Sequence, residues 1–206
     1  MKKSLLFCLI TFQALALDHQ TRVEAVSMND HGIQQMTQGI RLTNTFGLIP
    51  DQLSAEVRLE TVKSQSVLKP YYWQNVQFLS PAHNTPALAS VSLIKHRLIH
   101  FSGVEINLRG GYRQIFSQVN DPGFLVEPCV KARLGALTAR AGYEFSNSVR
   151  QNSDAKYNVR RVGADYHLTP AVAVVVGYEL QRGFLNRTAW TFGIAYQHQN
   201  KDVAKP

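Results

Sequence analysis

The chain has 206 residues, with 22 Lys and Arg against 14 Asp and Glu, and a formal net charge of +8. Its mean hydropathy is −0.16, and no stretch reaches the roughly 20 apolar residues of a spanning helix, which excludes a helical membrane protein. Its two cysteines, Cys8 and Cys129, exclude a disulfide-stapled scaffold, and arginines scattered along the chain argue against nucleic acid as a partner.

The first element is an export signal. Lys2-Lys3 is a positive start, Leu5 to Phe12 a short apolar run, and Ala14-Leu-Ala16 a small-residue cleavage site. Residues 1–16 are therefore read as a signal peptide cut after Ala16. Cys8 goes with it, which leaves Cys129 without a partner for an intrachain disulfide. Losing Lys2 and Lys3 takes the charge from +8 to +6.

Strand candidates follow at 18–28, 33–46, 52–63, 88–99, 104–116, 124–134, 137–147, 157–168, 171–182 and 187–198. The last three show the pattern most clearly. Val162, Ala164, Tyr166 and Leu168 alternate with Arg161, Gly163, Asp165 and His167. Val172, Val174, Val176, Tyr178 and Leu180 alternate with Ala173, Gly177, Glu179 and Gln181. Trp190, Phe192, Ile194 and Tyr196 alternate with Ala189, Thr191, Gly193 and Ala195. Apolar faces this long, ended by aromatics and backed by a polar face, are the signature of a transmembrane β-barrel.

The connections agree with that reading. Short Gly- or Pro-bearing turns (47–51, 100–103, 134–137, 168–171) alternate with longer polar loops (118–124, 146–156, 183–186), as periplasmic turns and outward loops do. Residues 64–87 leave the count open. Tyr71-Tyr72-Trp73 and Val76 to Leu79 look like strands, but Pro70, Pro81 and Pro86 bracket them. The segment is either an outer loop, giving ten strands, or a hairpin, giving twelve. The expected architecture is all-β: an antiparallel up-and-down barrel over 17–198 with a polar tail at 199–206.

Alternation also sorts the charges. It turns Arg41, Arg58, Arg109, Arg113, Lys131, Arg133, Arg140 and Arg161 inward, together with Glu56, Glu60, Glu105, Glu144, Asp165 and Glu179. A basic residue facing lipid at the midplane costs about 2–4 kcal/mol, so inward placement is favoured. Surplus guanidiniums would attract anions, carboxylates above all, because the fork matches them in bidentate geometry. Inward Gly163, Gly177 and Gly193 would leave room for a passage. Trp190, Tyr178, Tyr166, Tyr143 and Phe145 fall on the lipid side as interfacial girdles.

Several segments resemble one family. Ala-Leu-Ala16 followed by Leu17-Asp18-His-Gln-Thr-Arg22-Val-Glu24 is similar to the start of the oligogalacturonate-specific monomeric porins, a family that includes the sialic acid channel. Val104-Glu-Ile-Asn-Leu-Arg-Gly-Gly-Tyr112, Pro128-Cys-Val-Lys131-Ala-Arg-Leu134 and Ala141-Gly-Tyr-Glu-Phe145 are similar to its central strands. Asp165-Tyr-His-Leu-Thr-Pro170 with Gly177-Tyr-Glu179 is similar to its closing hairpin. The resemblance implies a monomeric, narrow twelve-stranded barrel passing acidic oligosaccharides or sugar acids. It also implies basic tracks in the lumen made by Arg109, Arg113, Lys131, Arg133, Arg140 and Arg161. The chain is shorter than that architecture, and a polar tail stands where the family ends on an aromatic residue.

Two other readings stand beside the porin. One is a closed structural or adhesion barrel, its lumen filled by Arg–Glu ladders. The other is an enzyme: His100-Phe-Ser102 resembles the His-x-Ser arrangement of lipid A deacylase barrels, where His would activate Ser. That pair falls in an expected periplasmic turn, away from outer-leaflet lipid. His96 and His100 are about 13 Å apart on a strand, too far to share a metal ion, and Asn186-Arg-Thr188 fits a glycosylation pattern of no consequence in a bacterial-type chain. The expectation is a non-enzymatic outer-membrane porin without cofactor or metal, its partners being outer-membrane lipids and small anionic solutes.

Overall fold

Alternation with a period of two produces a sheet with one apolar and one polar face, and such a sheet in lipid must close so that no backbone group is left unpaired. The computed structural model describes residues 18–30, 35–64, 71–73, 76–78, 87–116, 121–148, 157–183 and 187–199. The strands are β1 (Asp18–Asp30), β2 (Gln35–Ile49), β3 (Leu53–Ser64), β4 (Tyr71–Trp73), β5 (Val76–Phe78) and β6 (Ala87–Phe101). They continue with β7 (Val104–Phe116), β8 (Asp121–Leu134), β9 (Leu137–Ser148), β10 (Tyr157–His167), β11 (Val172–Gly183) and β12 (Arg187–Gln199). Ten of them form one closed antiparallel barrel in the order β1-β12-β11-β10-β9-β8-β7-β6-β3-β2.

The two short strands β4 and β5 pair only with each other. The described residues between β3 and β6 thus add no stave to the wall, and β3 pairs directly with β6. Of the two expected counts, ten is the one found. The wall closes where β1 meets β12, in unbroken register from Asp18 opposite Gln199 to Asp30 opposite Arg187.

The turns between β2 and β3, β6 and β7, β8 and β9, and β10 and β11 lie at the same end as Asp18 and Gln199. Gly103 (φ 82°) and Gly135 (φ 59°) supply the left-handed backbone at two of them. The expected signal peptide, residues 200–206 of the tail and most of the expected outer loops lie outside the described residues.

The outer wall is apolar in a continuous band. Trp190, Phe192, Ile194 and Tyr196 are exposed by 62, 64, 57 and 51%, while their alternates Ala189, Thr191, Gly193 and Ala195 are buried. Strands of 11–15 residues, tilted as in known barrels, cover an apolar belt about 25 Å tall. The chain is a transmembrane β-barrel. Two register shifts interrupt it, one in β2–β3 between Gly47 and Ile49 and a wider one in β6–β7 between Lys95 and Ile99. There Arg97 sits at φ 52° and its N–H donates to Asn107 Oδ1 at 2.8 Å. This β-bulge lies at the short-turn end.

Candidate functional site

The inward faces meet in a continuous chain of ion pairs that runs round the lumen. It starts on β3, where Glu60 accepts from Arg41 Nε of β2 at 2.6 Å. Arg41 then turns its fork across the lumen to Glu179 of β11, with Nη1 and Nη2 at 2.7 and 2.9 Å. Glu179 also accepts from Arg161 Nε of β10 at 3.0 Å, and Arg161 Nη1 reaches Glu127 of β8 at 2.9 Å and Glu144 of β9 at 2.7 Å. Arg109 of β7 collects the same two carboxylates, Glu144 at 2.9 Å and Glu127 beside it, and passes on to Glu56 of β3 at 2.6 Å. Arg58 stands 3.5 Å from Glu56 and brings the chain back to β3.

A second cluster lies nearer the short-turn end. Asp165 of β10 accepts from Arg22 of β1 at 2.7 Å, and its other oxygen lies 3.2 Å from Arg140 of β9, an ion pair without hydrogen-bond geometry. Arg140 stands 4.0 Å from Glu24, which accepts from Thr191 Oγ1 at 3.1 Å. These contacts join strands on opposite sides of the barrel, so the lumen is spanned by side chains and not merely lined by them.

Burial shows how tightly the space is filled. Arg113 is 1% exposed, Glu144 3% and Arg109 5%. A wide bore would leave its lining exposed, and here even the most open network arginines, Arg140 and Arg161, keep only 30 and 19% of their side chains accessible. Taking such charges out of water is costly unless they find opposite charge and hydrogen bonds, which the shared carboxylates provide for Arg41, Arg109 and Arg161. Six arginines and seven carboxylates enter these lumen pairs, and buried Arg113 makes the charge even.

The inward glycines therefore do a different job from the one expected. A Cβ on Gly163 would lie 3.1 Å from Arg140 Nε, and one on Gly142 only 2.5 Å from Glu127 Oε1. At Gly163 and Gly142 the room is occupied by the network's own side chains, at Gly177 by the Thr191 hydroxyl and at Gly193 by the Val23–Glu24 backbone, so none of it is a passage.

Each expected site residue has a definite place. Arg41, Arg58, Arg109, Arg140 and Arg161, with Glu56, Glu60, Glu144, Asp165 and Glu179, are in the network. Arg113 is buried toward the loop end, beside Gly123. Glu105 instead pairs with Arg97 at 3.3 Å near the β6–β7 turn. Lys131 and Arg133 are exposed at the short-turn mouth, with no ion pair among the described residues.

Sequence reasoning missed Arg22, Glu24 and Glu127. The signal was available: Glu127 shares the parity of Lys131 and Arg133 on β8, and Arg22 and Glu24 alternate with outward Val23. Including them removes the guanidinium surplus expected from the first set.

The hydrolase reading finds little support in this geometry. His100 and Ser102 are both exposed at the β6–β7 turn, and no hydrogen bond joins them among the described residues. Hydroxyl–imidazole contacts join Ser54 Oγ to His96 Nε2 at 2.8 Å, Thr21 Oγ1 to His19 Nε2 at 3.2 Å and Thr138 Oγ1 to His167 Nε2 at 3.3 Å; the one involving a serine is the shortest. No carboxylate bonds the second nitrogen of His96 among the described residues, so the orienting group of a triad is missing. Cys129 faces the lumen on β8, half-buried, with Sγ 3.8 Å from the Val130 carbonyl. No group of three metal-ligating side chains occurs among the described residues.

No protein-family model matches the chain. No curated protein matches it either. Solved structures that resemble it are transmembrane barrels. They include the KdgM porin at 11% identity, with 87% of this chain and 98% of that chain covered and a TM-score of 0.42. A de novo designed transmembrane β-barrel shares 13% identity over 87 and 95% of the two chains at a TM-score of 0.40. The outer membrane phospholipase A of Escherichia coli shares 12% over 86 and 89% at 0.42. At such identities and scores these likenesses say nothing about activity.

Proposed function

We propose that the protein is a monomeric outer-membrane barrel of the porin type whose lumen is shut at mid-level by its ion-pair network, and that it serves small anionic solutes. The observation that carries the reading is the chemistry of the plug. Buried ion pairs contribute little net stability, and replacing them with apolar side chains of similar volume is often neutral or favourable. A barrel that needed only filling would have no use for so many charges. A network of guanidinium forks, by contrast, can exchange one carboxylate for another.

Passage then follows by competition. A solute carboxylate entering from either mouth takes the place of Glu179 on Arg41, or of Glu144 on Arg161, and the freed side chain swings aside. The exposed Lys131 and Arg133 raise the local concentration of anions at the short-turn mouth. The family resemblance of the sequence points to acidic oligosaccharides or sugar acids as the solute class.

The second reading, a closed structural barrel, is favoured by the even charge of the lumen. Planar-bilayer recording separates the two. We expect low or intermittent conductance from the native protein. The double variant Arg109→Ala with Glu127→Ala, which removes two side chains directly opposite each other in register, should give steady open steps. If neither protein conducts, the porin reading fails and the closed barrel stands.

A further inference from the structure

The outward face carries a second charge pattern, independent of the lumen and of whether it conducts. Among the described side chains, every strand carboxylate faces inward, yet Arg160 and Arg182 face outward and are exposed. They lie on neighbouring strands. Arg160 pairs with Leu180 and Arg182 with Asn158, which makes the two arginines diagonal neighbours about 7–8 Å apart.

Both sit toward the long-loop end of the barrel. Arg160 lies over the Tyr143 ring at 5.6 Å, at the level of the outer aromatic belt. Tyr178 and Trp190, their rings tilted by 55° with centroids 4.8 Å apart, continue that belt on β11 and β12. Neither arginine has an ion-pair partner among the described residues.

A guanidinium facing hydrocarbon is tolerated only where its long arm reaches the headgroups. Two of them converging there, with no carboxylate on that face among the described residues, suit an anion at headgroup level. The membrane itself supplies one. We infer that Arg160 and Arg182 form a clamp for the phosphate of an anionic lipid in the outer leaflet, with Tyr143 holding the Arg160 plane in place.

Trp190, outward on β12 next to the strand that carries Arg182, is the probe for the lipid at this face. The chain has two tryptophans, so Trp73→Phe leaves Trp190 as the single tryptophan, excited selectively on the red edge. Refolded into phosphatidylcholine vesicles doped with phosphatidylglycerol, this protein should be quenched more by brominated phosphatidylglycerol than by brominated phosphatidylcholine. Enrichment of roughly five-fold per arginine is expected. Arg160→Gln with Arg182→Gln should bring the two lipids level, and Arg160→Lys with Arg182→Lys should keep most of the preference. Equal quenching in the starting protein, or a preference that survives the double Gln change, overturns the clamp. Where the Gln variant does not refold, salt decides: a preference that fades as salt is raised supports the clamp, and one indifferent to salt overturns it.

Discussion

The middle of the lumen and its short-turn mouth use the same residue types to opposite effect. At mid-level, Arg41, Arg109 and Arg161 are each held by two or three carboxylates contributed by different strands. At the mouth, Lys131 and Arg133 stand exposed. Arg97, its side chain 44% exposed, makes longer pairs to Asp51 at 3.1 Å and Glu105 at 3.3 Å. Depth decides the outcome. A few residues along a strand turn a solvated cation, worth little to stability, into a cross-brace between distant staves.

The largest expected effect tests that difference directly. Arg161→Ala leaves Glu127, Glu144 and Glu179 short of a counter-charge inside a closely filled lumen. Removing one partner of a buried pair costs about 3–5 kcal/mol. Arg133→Ala, on the same inward face but at the mouth, should change stability by no more than about 0.5 kcal/mol. Denaturant unfolding of both variants in detergent measures the gap. Equal losses would mean that the network braces nothing.

A smaller effect sharpens how closely the network is packed. Gly142→Ala puts a methyl where the Glu127 carboxylate now lies, while that carboxylate is tied to Arg109 and Arg161. Overpacking of this kind costs about 1–3 kcal/mol. Gly110→Ala is the control, because a Cβ there meets nothing within 4 Å. The same unfolding experiment should separate them clearly. A neutral Gly142→Ala would show that the network yields easily, which suits a labile gate better than a brace.

Most of the wall was legible from alternation, because lipid on one side and charge on the other leave each strand residue only one choice of face. Trp190, Phe192, Ile194 and Tyr196 announce their side without ambiguity. What alternation does not encode is reach. That Arg41 bonds Glu179, 138 positions away across the barrel, depends on closure and strand order, which no local pattern specifies. The count of staves was open for a similar reason. Tyr71–Trp73 and Val76–Phe78 have strand-forming residues, and only the direct pairing of β3 with β6 shows that they stay out of the wall. The glycines misled because an empty position looks the same in sequence whether a solute or an arginine fills it.

The smallest expected change in stability belongs to Lys131→Gln with Arg133→Gln, and it tests the other half of the comparison. Both residues are exposed, so folding should hardly alter. Their field acts on what approaches the mouth. Measured in the open Arg109→Ala, Glu127→Ala barrel under a salt gradient, the reversal potential should move toward lower anion preference when the two charges are removed. The shift should be largest near 0.1 M salt, where the screening length is about 10 Å, and nearly vanish at 1 M, where it is about 3 Å. A reversal potential unchanged at low salt would mean that the mouth does not select. The anion preference would then rest on the guanidiniums of the mid-level network alone.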